Sequence, residues 1–160
     1  MPGWLATLGV PLVLACGAAP APSPARAAGP GFGQATLPSG RVLVLEVQRT
    51  PEERARGYMG RAHVGDDEGM LFVHPQAAVR KFWMKNCLVA LDLIWMDADH
   101  RIVHIEHEAP PCGPDECPGI GPDRLANDVL EIRGGLARLE GLNIGDRILI
   151  RTVGPTPDQP

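Results

Sequence analysis

Arg54, Arg61, Trp83, Asn86 and Asp92 are the residues whose chemistry most exceeds what a protein interior requires. Asp92 stands in the apolar run "LDLIWMD", where an unpaired carboxylate is costly to bury. It is therefore expected either to find an arginine, Arg54 or Arg61, or to line a wet pocket. Read structurally, such an ion pair pins a helix to a sheet. Read as a ligand site, the set offers a flat wall from Trp83, a donor and an acceptor from Asn86, and an anion clamp from an arginine.

The other reactive residue types carry competing readings. Cys112 and Cys117 lie in the turn-rich loop "PPCGPDECPG", and four intervening residues let their sulfurs meet, so a disulfide is expected. Redox dithiols usually stand two residues apart at a helix start, and the prolines here oppose such a helix. Cys87 is then left alone. With His104 or His107 as base and Asp92 as orienter it has the parts of a nucleophile, but a lone cysteine more often packs as a small hydrophobe. His104 and Glu106 sit two residues apart and suit two metal ligands, with His74 or His100 as a third. On a solvated strand face, however, the same pair needs no metal. Met59, Met70, Met84 and Met96, with Cys87, raise Cu(I) handling through Met84 and Cys87, against the more ordinary role of methionine as core filler. No cofactor or metal is assigned from these patterns, and no complete catalytic set can be read from the spacing.

The elements that must position these residues are mostly short strands. "RVLVLEVQ", "GMLFVH", "KFWMK", "LDLIWMD", "RIVHIEHEA", "VLEIRG" and "DRILIRTV" are dense in β-branched and aliphatic residues and are separated by turn residues. Asp97 to His100 reads as a hairpin turn. In "RIVHIEHEA", alternation places Val103, Ile105 and His107 on one face and Ile102, His104, Glu106 and Glu108 on the other. Thr50, Pro51 and Glu53 form a capping box that starts a helix of about two turns, stopping near Gly57. "LARLEGLNIG" suits a single helical turn ended by glycine. The pattern predicts a mainly β domain, a single compact antiparallel β-sandwich or partly open barrel with one or two short helices. No strand leads into a glycine-rich phosphate loop, which excludes a doubly wound nucleotide-binding fold.

Residues 1–15 read as a lipoprotein-type signal peptide, because "WLATLGVPLVLAC" is apolar but short for a bilayer span and Val13 to Gly17 resembles a lipobox. The basic region that normally precedes the apolar run is missing, which favours an upstream start codon. Cleavage before Cys16 would leave a lipid anchor on that cysteine. The competing signal, Ala25-Arg26-Ala27, would release a soluble exported protein. Residues 16–34 form a Pro/Ala/Gly-rich tether, residues 35–153 the single domain, and residues 154–160 a proline-rich tail expected to fray. A net charge of −4 gives no electrostatic case for nucleic acid. The expected membrane link is the lipid on Cys16, and oligomeric state is left open.

The motifs "ERARGYMGR", "GMLFVH", "FWMKNC" with "LDLIWMD", and "VLEIRGGLARLEGLNIGD" resemble, in order and spacing, the bacterial and archaeal family catalogued as domain of unknown function 192. The resemblance spans about Val42 to Ile150. It implies a single β-rich domain, often exported, with no established activity. It also implies that threonine is common where this chain has Cys87 and leucine where it has Tyr58, so a role resting on Cys87 would not be a family role. The function expected from the sequence is a non-catalytic envelope module that binds a small molecule or an envelope protein through Arg54, Arg61, Trp83, Asn86 and Asp92. The alternative is a hydrolase-type enzyme using Asp92 or a histidine for proton transfer.

Overall fold

The structure, a computed structural model, describes residues 31–113 and 116–153. In chain order its elements are β1 (Gly31–Thr36), β2 (Val42–Gln48), α1 (Pro51–Arg56), β3 (Glu68–Phe72), β4 (Ala78–Val79), β5 (Leu91–Met96), β6 (Ile102–Ala109), β7 (Leu125–Ala126), β8 (Asp128–Arg133), α2 (Leu136–Leu139) and β9 (Leu149–Val153). The signal peptide, Cys16, residues 17–30 and the tail from residue 154 lie outside the described residues.

Seven strands form one open mixed sheet in the order β6-β5-β8-β3-β2-β1-β9, while β4 and β7 pair as a small second sheet. The mainly β architecture with two short helices is as expected, and the large sheet does not close into a barrel. Two features exceed the sequence reading. Strand β1 takes in Gly31 to Gln34, which were expected to belong to the tether. Strands β2 and β3 run parallel, because α1 and the segment after it carry the chain back to the starting end, as a parallel pair requires.

The capping box forms as expected. The Glu53 amide donates to the Thr50 hydroxyl at 3.2 Å, and the Thr50 amide donates to the Glu53 carboxylate at 3.0 Å. Gly57, at φ 46, ends the helix. "KFWMK" is not a strand. It makes two isolated bridges, Phe82 to Ile120 and Lys85 to Cys112, and the segment instead lies across the sheet as part of its cover.

The Asp97–His100 turn joins β5 to β6 as expected, with the Asp97 side chain accepting the Asp99 and Arg101 amides, both at 2.9 Å. Strict alternation in β6 fails. Register shifts opposite Leu91/Leu93 and Trp95/Met96 break the ladder, so Ile102 and Ile105 both join the core on the α2 side. A β-bulge inserts an unpaired residue and so changes which face the following side chains meet.

The sheet separates two cores. One holds Leu43, Leu45, Leu71, Ile94, Leu130 and Ile132 beneath Leu136 and Ala137 of α2. The other holds Met70, Phe72, Leu91, Leu93, Trp95 and Val129 beneath Tyr58, Val64, Met84 and Cys87. Trp95 is wholly buried there, and its indole N–H donates to the Arg80 carbonyl at 3.0 Å. The covering loop passes so close that a Cβ on Gly121 would stand 2.6 Å from the Trp95 ring, at a φ of 126 that already favours glycine. Cys112 and Cys117 are disulfide-bonded with Cα atoms 5.2 Å apart, as their spacing predicts, which ties down the same covering loop.

Candidate functional site

Between α1, its exit and the segment Lys81–Cys87 lies a cavity of about 390 Å³, floored by β3 and β8. That volume suits a small molecule. Its apolar lining comes from Tyr58, Met59, Phe72, Phe82, Trp83 and Cys87, and its polar lining from Arg54, Arg56, His74, Lys81, Lys85 and Glu131. Phe72 and Phe82 meet edge to face with centroids 5.0 Å apart, the arrangement that aromatic quadrupoles favour.

Glu131 is the exceptional member. On β8 its in-register neighbours are Met70 of β3 and Leu93 of β5, both fully buried. Glu131 itself is 5 % exposed, and no hydrogen bond from a described residue accounts for its carboxyl. Desolvation alone pushes its pKa up to about 8, so at neutral pH it is largely a carboxylic acid that both donates and accepts. The sequence reading missed it. In "VLEIR" a glutamate between Leu130 and Ile132 resembles the outward residue of an alternating strand, and only the pairing with Met70 and Leu93 shows that its face is covered.

The neighbouring groups respond to the same burial. Tyr58 is 3 % exposed, and desolvation, with Glu131 next in effect, raises its phenol well above the ordinary value. Burial, followed by Glu131, pushes the Cys87 thiol up to about 11, so it remains a thiol at neutral pH. A nucleophilic role, which needs thiolate, is thereby disfavoured. Desolvation, then Arg80 and Arg54, lowers His74 to about 4 and keeps its imidazole neutral.

The five residues singled out from the sequence are dispersed. Arg54 and Trp83 line the cavity. One Arg54 nitrogen donates to the carbonyls of Arg49 and Val73, fixing α1 against the end of β3. Arg61 makes a two-pronged ion pair with Glu46 at 2.5 and 2.7 Å and lies over the Tyr58 ring at 5.1 Å, outside the lining. Asn86 contributes through its backbone, adopting φ 57 and accepting the Gly60 amide at 2.9 Å, which joins the α1 exit to the covering segment.

Asp92 corrects the expectation outright. It shares its face of β5 with Ile94 and Met96, so it points to the α2 side, away from the cavity. Its partners are three amides and no arginine: Glu108 at 2.7 Å, Gly135 at 3.0 Å and Ala137 at 2.7 Å. Backbone donors offset the desolvation of the carboxylate as an arginine would, and they come ready placed at the start of α2.

The histidines do not gather around Cys87. His104 pairs loosely with Glu106 at 3.7 Å and packs its ring on Trp95, and His100 faces Asp128 at 3.5 Å. His107 lines a separate hollow with Leu142, Asn143 and Ile144. Among the described residues no three His, Cys, Asp or Glu groups are placed to hold a metal ion. The methionines also separate: Met59 lines the cavity, Met70 and Met84 pack in the cavity-side core, and Met96 packs in the other.

Gly57 forms a lip over Glu131. A Cβ there would come within 3.3 Å of the Phe72 ring and 3.9 Å of a Glu131 carboxyl oxygen. Gly57→Ala is expected to cost about 1–2 kcal/mol, because alanine at φ 46 is strained and the Phe72 ring has to give. Denaturant melts read this directly, and an unchanged midpoint would contradict the close approach.

Comparison with known proteins agrees with the motif reading. A structure of a protein of unknown function from Novosphingobium aromaticivorans is 34 % identical, with a TM-score of 0.67, covering 82 % of this chain and 93 % of that one. A putative transcription regulator from Sinorhizobium meliloti is 27 % identical, with a TM-score of 0.66, covering 76 % of this chain and 95 % of that one. No curated protein matches. The model of the DUF192 family, described as "Uncharacterized ACR", matches residues 35–150, so the chain belongs to that family of unknown function.

Proposed function

We propose that this protein is an exported, lipid-anchored envelope module whose domain binds a small molecule, without catalysis, in the cavity above Glu131. One observation carries the binding reading. A carboxyl that is 5 % exposed lies among aromatic side chains at the floor of a cavity, with no protein partner among the described residues. At that depth the carboxyl is poorly solvated, and a guest that hydrogen-bonds Glu131 would supply the partner that the described residues do not. The aromatic walls supply contact area, and Trp83, 52 % exposed at the mouth, is available to close over a guest.

Export rests on the apolar stretch before Cys16, and the Cys112–Cys117 bond is what an oxidising compartment favours. A catalytic reading finds less support, since Asp92 is engaged by three amides on the opposite face and Cys87 is held as a thiol.

Native mass spectrometry of the protein isolated from its own cell envelope tests both parts. The expected result is a mass excess that disappears on denaturation, together with a diacylglycerol-sized covalent increment on a chain beginning at Cys16. An unliganded native mass for wild type would sink the tight-binding reading, and an unmodified chain beginning near residue 28 would sink the anchor.

A further inference from the structure

We propose that the guest of this cavity is a zwitterion, which sets an ammonium group against the Glu131 carboxyl and an anionic group beside Arg54 and Lys85 at the mouth. The inference rests on the cavity being a binding site and specifies the charge pattern of what it binds.

The floor favours a cation. Glu131 is the acidic residue of the lining, which it shares with the rings of Tyr58, Phe72 and Phe82. Aromatic faces attract an ammonium through their quadrupoles, and a carboxylate pairs with it through a charge-assisted hydrogen bond. An anionic guest at this depth would meet a carboxyl that becomes repulsive on ionisation. A purely apolar guest would leave that carboxyl without a partner. An ammonium reverses the desolvation penalty by drawing Glu131 into its ionised form, so site and guest stabilise each other's charge. The other groups facing Glu131 do not compete for it, because Tyr58 and Cys87 are uncharged and Arg61 is already paired with Glu46.

The mouth favours an anion. Its basic groups are Arg54, Arg56, His74, Lys81 and Lys85, of which His74 is neutral and Lys81 is engaged by Asp123 at 2.8 Å. Arg54 donates to backbone carbonyls, which leave its charge uncancelled, and Lys85 lies 6.0 Å over the Trp83 ring with no carboxylate partner among the described residues. A simple amine would have to pass this positive rim and would gain nothing from it. A molecule with opposite charges at its two ends satisfies both regions, and a cavity of about 390 Å³ limits it to small amino acids, their derivatives or similar amphoteric molecules.

The test is an NMR titration of the full-length protein at neutral pH with ω-amino acids from β-alanine to aminooctanoate. Hexylamine and hexanoate serve as single-charge controls. The expected result is saturable shifts at Gly57, Tyr58 and Trp83 for one or two chain lengths, with each control binding at least about tenfold more weakly. Glu131→Gln, which keeps the size and removes the charge, is expected to weaken the best amino acid about tenfold or more. Lys85→Gln is expected to weaken the amino acid by a smaller factor and to leave hexylamine unchanged. The proposal is overturned if hexanoate or hexylamine binds as tightly as the amino acid, if Glu131→Gln binds it unchanged, or if no amino acid binds. In each of these cases a guest seen by native mass spectrometry would still uphold the cavity as a binding site, so the two readings fall separately.

Discussion

Replacing Asp92 with alanine is expected to remove about 4 kcal/mol of stability, a large share of the roughly 5–15 kcal/mol typical of a whole domain. The substitution strands three inward-facing amides, those of Glu108, Gly135 and Ala137, where the fully buried carboxylate now accepts all three. Two of these belong to the start of α2, and the third belongs to a residue of β6 held at φ 51, so one side chain fixes a helix and a bulged strand together. Asp92→Asn, which retains one acceptor oxygen, is expected to lose about half as much. Urea melts of the two variants decide the matter. A loss below about 1 kcal/mol for the alanine variant would show that water or backbone shifts replace the carboxylate. Ligand affinity of the folded fraction should stay unchanged, because Asp92 and the cavity lie on opposite faces of the sheet.

The second large effect concerns pH. Glu131 has a folded pKa of about 8 against an ordinary 4.5, so the folded state binds more protons than the unfolded chain between those values. Stability contributed this way is complete below pH 4.5 and is lost as pH rises through 8. His74 acts in the opposite sense. Its folded pKa of about 4 lies below the ordinary 6.5, so it adds stability as pH rises across that window. The two oppose each other in mildly acidic solution and leave Glu131 dominant above pH 6.5.

Wild type is therefore expected to lose about 2 kcal/mol between about pH 6.5 and pH 9, at 1.36 kcal/mol per unit, whereas Glu131→Gln stays flat over that range. Above it the Cys87 thiol, raised from 9 to about 11, destabilises with the same sign in both proteins. Chemical denaturation at a series of pH values measures the difference. Equal slopes for wild type and Glu131→Gln would mean that the carboxyl is ionised and solvated, which would also remove the observation on which the binding site rests. A bound zwitterion should flatten the wild-type profile, because it stabilises the ionised carboxyl in the folded state.

Much of the architecture was legible along the chain because it depends on neighbours in sequence. The α1 start was readable from Thr50, Pro51 and Glu53, since a capping box closes within three residues. The β5–β6 turn was readable from Asp97 to His100, and the Cys112–Cys117 bond from its short spacing. The family was readable from four ordered motifs, and its model covers residues 35–150.

Charged residues in apolar strands were a different matter, because their roles depend on what the opposite strands and covering loops present. Asp92 and Glu131 look alike in sequence, each a carboxylate among aliphatic residues, and sequence reasoning selected Asp92. The fold gives Asp92 three amides and makes it structural, while it gives Glu131 Met70, Leu93 and a cavity and leaves its carboxyl for a guest. Local pattern determined that this chain forms a mainly β domain with a capped helix after its second strand. Only the tertiary structure decided which buried charge is satisfied, because the donors that neutralise a carboxylate come from segments more than ten residues away along the chain.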